Sequence, residues 1–184
     1  MRQSNKGLSV GLLGPATQRP GPVEVAVSLL GSLVGITAVY MVSSVILGGE
    51  ATRFMVASMG AAAVLLFGAP HGPFSQPWSA IGGQVISALA GVTAAIWIPD
   101  PALAAGVAVG VAIAAMQLAR CLHPPGGATA LVAVIGGPEV EALGYAFVVA
   151  PVLLNTVILV LVAVVANYPF PWRRYPVGLA RTRT

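Results

Sequence analysis

The chain has 184 residues, of which 57% are hydrophobic and only 8% charged, and its mean hydropathy is +0.90. A soluble domain carries about a quarter charged residues, so this composition excludes a soluble globular protein and implies a helical integral membrane protein. The net charge of +4 gathers in the two tails, where it sets orientation in a bilayer rather than binding nucleic acid.

Residues 1–22 hold Arg2, Lys6 and Arg19 among scattered Gly and Pro, and read as a disordered cytoplasmic tail. Val23 to Leu47 is a 25-residue apolar run with only Glu24 charged, long enough to span. Gly31 and Gly35, four apart, give it a face for close packing. Arg53 to Ala69 is apolar but short, about 25 Å as helix, and ends in Gly68-Ala69-Pro70-His71-Gly72-Pro73. Trp78 follows as an interface anchor. Ser79 to Ile98 and Ala102 to Ala119 are two more long segments, with small-residue stripes at Gly83, Ser87, Gly91 and at Gly106, Gly110, Ala114. Pro124 to Ile135 is the second short segment, about 18 Å as helix. Ala142 to Tyr168 is the last long one, kinked at Pro151, and residues 169–184 read as an aromatic belt running into a basic cytoplasmic tail.

The expected fold is therefore an all-α membrane protein of four long transmembrane helices plus two short broken or re-entrant helices. The short segments align, Gly60-Ala61-Ala62-Ala63-Val64 with Gly127-Ala128-Thr129-Ala130-Leu131. The transmembrane domain 23–168 thus divides into two three-element repeats, about 23–98 and 102–168. If all six segments cross, the repeats are inverted, and the loop charges favour this; if the short segments re-enter, there are four spans. Short, Gly/Pro-interrupted segments at matching places in two halves point to a transport site.

Chemistry concentrates in Leu118 to Leu131, LARCLHPPGGATAL. Pro124 and Pro125 cannot continue the preceding helix but suit the first turn of a new one. Gly126 and Gly127 leave backbone N–H groups open to close approach, and a helix N-terminus beside Arg120 and His123 suits a small anion. A Pro/Gly turn at a membrane surface is the plain alternative. Cys121 is the only cysteine, which excludes an internal disulfide, and its basic neighbours would lower its pKa.

The CLHPPGGATAL block at Cys121–Leu131 and MGAAAVLLFGAPHGPFSQPWSAIGGQ at Met59–Gln84 resemble the HPP family of integral membrane proteins, named for the His-Pro-Pro that stands here as His123-Pro124-Pro125. The resemblance spans residues 23–168 and implies four spanning helices and transport of nitrite or a related small anion. Ala62, Gly72 and Gln84 stand where the family more often has Ser, Ser and His.

The expected function is a transporter or channel for a small monovalent anion, nitrite by resemblance, held at the N-termini of the two short helices. His123, Pro124, Pro125, Gly126, Gly127 and Thr129 would form the second half of the site, and Arg53, Ser58, Gly60, His71 and Gln84 the first, with Arg120 supplying charge. Apart from Glu24 near one end, no acidic residue lies inside an apolar segment, which argues against a carboxylate relay or cation site. No nucleophile–base pair, zinc spacing or P-loop stands out, so neither an enzyme nor a cofactor or metal is expected. The alternatives are a non-transporting membrane interaction subunit and a small neutral-solute channel. So small a bundle is expected to form a homo-oligomer in the lipid bilayer of a bacterial inner membrane, with both termini cytoplasmic.

Overall fold

The computed structural model describes residues 20–180 except Gly48. Most of the tail expected over 1–22, and Arg181 and Arg183, lie outside the described residues. Helix α1 is Pro22–Ile46, and α2 is Gly49–Ala63, prolonged by a π-helical turn at Val64–Gly68. A single 3-10 turn, Pro73–Ser75, leads into α3, Pro77–Trp97. Helix α4 is Pro101–Leu118, α5 is Pro125–Ile135 and α6 is Pro138–Leu143. Helix α7, Leu154–Asn167, continues a π-helical stretch at Val148–Leu153, and a 3-10 turn at Pro171–Arg173 and a single turn, α8, at Val177–Ala180 follow it.

Proline opens α1, α3, α4, α5 and α6. At a first helical position its missing N–H removes a donor that would be unpaired anyway, so these prolines start helices rather than break them. The Asp100 carboxylate accepts from the Leu103 N–H at 2.7 Å and caps α4.

Among the described residues, five helices are long and apolar enough to cross a membrane, one more than the four long segments expected from the sequence. The extra one is the first short segment. Its helix begins at Gly49, not near Arg53, and runs 20 residues to Gly68. The segment expected as one helix from Ala142 is instead divided, because Gly144 takes a left-handed φ of 48° after α6. The kink at Pro151 is present, with Ala150 at φ −135°, ψ 116°.

Loop contacts sort the helix ends into two groups. At one end, Ser28 reaches Phe67, Trp78 reaches Ala119 and His123 reaches Phe74. At the other, Thr52 and Asn155 reach Ser43, and Thr93 meets Tyr145. Helix α3 is the hub, packed on α4, α5 and α7. Two of the small-residue stripes work inside the chain. A Cβ on Gly31 would meet the Phe67 ring at 2.6 Å, and one on Gly91 would meet Ala133 at 2.7 Å. The third does not: Gly106 and Gly110 are exposed on α4, with nothing within 4 Å of a Cβ.

Candidate functional site: a buried polar chain below the His-Pro-Pro loop

Helix α5 does not start level with its neighbours. Gly82 packs on Cys121, Gly83 on His123, Gly126 on Ser87 and Gly91 on Ala130, so α5 runs parallel to α3. Gly83 is six residues into α3, which carries the His-Pro-Pro loop about 9 Å below the helix start. Only glycine allows this, since a Cβ on Gly83 would lie 2.5 Å from the His123 Cβ and 2.9 Å from the Cys121 carbonyl.

Where α5 begins it meets the middle of α2. The Ser58 hydroxyl lies 3.2 Å from the Pro125 carbonyl and 2.6 Å from Thr129 Oγ1. Thr129 donates in turn to Gln84 Oε1. Since Thr129 gives its single hydrogen to Gln84, Ser58 supplies the hydrogen of the first link and shares it between Thr129 Oγ1 and the more distant Pro125 carbonyl. The chain Ser58→Thr129→Gln84 joins α2, α5 and α3, and all three side chains are buried. It ends on Gln84 Nε2, a donor with no partner.

His123 is fully buried above this chain. Its Nδ1 lies 2.8 Å from the Phe74 carbonyl. A carbonyl only accepts, so Nδ1 carries the hydrogen and Nε2 of the neutral ring presents a lone pair. That Nε2 also has no partner. Burial lowers the affinity of the imidazole for a second proton, against a smaller raising effect of the Phe74 carbonyl. Two recesses flank the loop. One of about 290 Å³ is bordered by Phe74, Ser79, Gln117 and Arg120, the other of about 410 Å³ by Phe74, Ile113, Pro124 and Gly127. Met116 lines both, and its sulfur accepts from the buried Ser87 hydroxyl at 3.7 Å. Met116 therefore lies between the recesses and Ser87 of α3.

The transmembrane region that defines the HPP family matches residues 17–176. The chain belongs to the HPP family. Among curated relatives, it is 32% identical over 158 residues to a transmembrane protein of Dictyostelium discoideum, covering 84% of this chain and 50% of that protein. A second transmembrane protein of the same organism is 36% identical over 128 residues, covering 67% of this chain and 45% of its own length. The chain thus spans about half the length of the curated relatives it matches. No solved structure matches it. Family and apolar helices together make it an integral membrane protein.

The HPP block brings together His123, Pro125, Gly126 and Thr129, with Ser58 and Gln84 from the other half. The helix-terminus part of the expectation changes. The Gly126 and Gly127 N–H groups already donate to the His123 and Pro124 carbonyls, at 2.9 and 3.1 Å, so they are not bare. Gly60 lies deep inside α2, eleven residues from its start, where backbone N–H groups serve the helix ladder. Only one helix N-terminus, that of α5, reaches the cluster. Arg53 is exposed and pairs with Glu50, Arg120 is exposed at φ 54°, and His71 and Pro124 are exposed in their loops. Burial raises the Cys121 thiol rather than its neighbours lowering it.

Residues 169–178, expected as part of a free tail, are docked. Arg173 is buried, with Nε 2.9 Å from Asn167 Oδ1 and Nη2 3.2 Å from Ser28 Oγ and 2.5 Å from the Phe67 carbonyl. The last carbonyls of a helix have no partner within it, and Arg173 supplies one at the end of α2. An arginine set between Trp172 and Tyr175 in an aromatic belt carries no sequence signal that it turns inward.

Proposed function

We propose that this HPP protein moves a small polar solute across the membrane, an anion of nitrite's size, and that the solute passes the Ser58–Thr129–Gln84 chain. The observation that carries the reading is the unpartnered Gln84 Nε2, a fully buried donor aimed by its own hydrogen-bonded chain. A buried donor left open is destabilising by about 1–3 kcal/mol, which favours a passing acceptor as its partner. The unpaired Nε2 of His123 stands as a proton carrier beside that path. In this reading α1–α3 and α4–α7 are inverted halves, and a second copy packs on Gly106 and Gly110 of α4.

The test is nitrite uptake into liposomes holding the purified protein, with an inward proton gradient on and off. The double variant Gln84→Met, Thr129→Val removes the polar chain but keeps the volume. Uptake is expected to fall at least about tenfold while unfolding stability stays within about 1 kcal/mol, because both partners of the bond are removed together. Undiminished uptake in the double variant would overturn the site, and a gradient-dependent rate separates a coupled transporter from a channel.

A further inference from the structure

The loop between α2 and α3, residues 69–76, is held from two sides. From within, the Phe74 carbonyl accepts from His123 Nδ1 at 2.8 Å. From outside, the buried Tyr175 hydroxyl donates to the Ser75 carbonyl at 2.7 Å, and the Val177 N–H donates to Gln76 Oε1 at 3.1 Å. Gln76 passes that hold on, since its Nε2 donates to the Pro70 and Gly72 carbonyls at 3.0 and 2.9 Å. The strap that carries Tyr175 and Val177 is itself anchored by Arg173 to Asn167, Ser28, Phe67 and Glu24. Strap, loop and His123 are therefore in series.

We infer that residues 171–178 are a latch: the docked strap keeps the 69–76 loop on His123, and its release lets the His-Pro-Pro loop swing away from α3 and open the buried polar chain to the flanking recesses. The loop has one turn of regular structure, Pro73–Ser75; besides the strap, the Ser75 hydroxyl ties it to the Leu65 and Ala69 carbonyls at 3.0 and 2.7 Å and Ser79 to the Pro73 carbonyl at 2.8 Å, so side-chain hydrogen bonds rather than a long helix ladder set its position. The movable unit is small. It includes Cys121, His123 and the first turn of α5, which seat on α3 through small groups: the Cys121 side chain on Gly82, the His123 Cβ on Gly83 and Gly126 on Ser87. The inference takes its purpose from the transport reading but not its geometry, so it is tested by exposure as well as by flux.

Cys121 is the built-in reporter, because it is the only cysteine and is buried against Gly82. A thiol-reactive maleimide is applied to the full-length protein in liposomes, and the labelling rate is followed for the parent, Tyr175→Phe, and a chain ending after Arg174. Tyr175→Phe removes one hydrogen bond and keeps the ring, so labelling is expected to quicken about fivefold. The shortened chain, which also loses Val177, is expected to label faster still. Asn155→Leu, at the opposite end of the bundle, is the control for general loosening. Unchanged labelling in both strap variants overturns the latch, as does equally fast labelling in Asn155→Leu at matched thermal stability. Fast labelling without nitrite uptake by any form would leave the latch standing and sink the transport reading alone.

Discussion

Arg173 and Gln84 are both almost completely shielded from solvent, yet all three guanidinium nitrogens of Arg173 donate to partners, whereas the amide nitrogen of Gln84 donates to none. The Arg173 cluster closes a helix end. Its planar fork meets the carbonyls that the π-turned end of α2 leaves over, with the Glu24 carboxylate 3.4 Å from Nη1. A polar network satisfied on all sides rigidifies the fold around it. The Ser58–Thr129–Gln84 chain is as deep, but it stops one bond short. The two clusters are both buried and polar, and they differ in whether the last donor has a partner.

That comparison can be broken at several strengths. The largest effect is expected from Arg173→Met, which leaves the Phe67 carbonyl and Asn167 Oδ1 buried without this donor. Unfolding in detergent should show a loss of about 3 kcal/mol. A loss under about 1 kcal/mol would mean the saturated cluster is no lock.

Next comes Gly83→Ala, against His123 at the edge of the open cluster. The new methyl must displace His123 or the Cys121 carbonyl, and about 2 kcal/mol of stability should go with it. Gly110→Ala, on the exposed face of α4, meets nothing and should raise stability by about 0.5–1 kcal/mol. Equal effects at the two glycines would show that the close seat of the His-Pro-Pro loop does not matter.

The gentlest effect is on pH dependence. Burial depresses the proton affinity of His123 in the folded protein, so the unfolded chain binds that proton more readily. The contribution to stability is complete above about pH 6.5 and is lost as the pH falls toward and through the lower folded value. Melting curves of the parent should shift down on acidification below pH 6.5, and those of His123→Gln should shift less. Parallel shifts would place the charge-sensitive group elsewhere.

Much of this was readable from the residues one stretch at a time. Proline at first positions, apolar runs and the Pro-Pro-Gly-Gly break act over one or two turns, so most helix starts, membrane character and the interruption at the His-Pro-Pro loop were legible. The start of α2 was not. The apolar segment reads from Arg53 and leaves Glu50 outside it, but the two pair at i,i+3 on an exposed face of a helix that begins at Gly49. The openness of Gly126 and Gly127 was misread for a related reason. Their freedom from side chains is a sequence fact, while the use of their N–H groups by the preceding carbonyls is a matter of backbone path.

The sequence by itself determined that the chain lives in a bilayer as helices, where several of them begin, and that the His-Pro-Pro loop interrupts them, because hydrophobicity and proline geometry are local. Only the tertiary structure decided which polar groups share an interior. Ser58 meets Thr129 across 71 residues, and Arg173 reaches Glu24 across 149. Such pairings follow from how glycine faces let helices approach and at what depth α5 begins. These are properties of several segments together, and no single stretch encodes them.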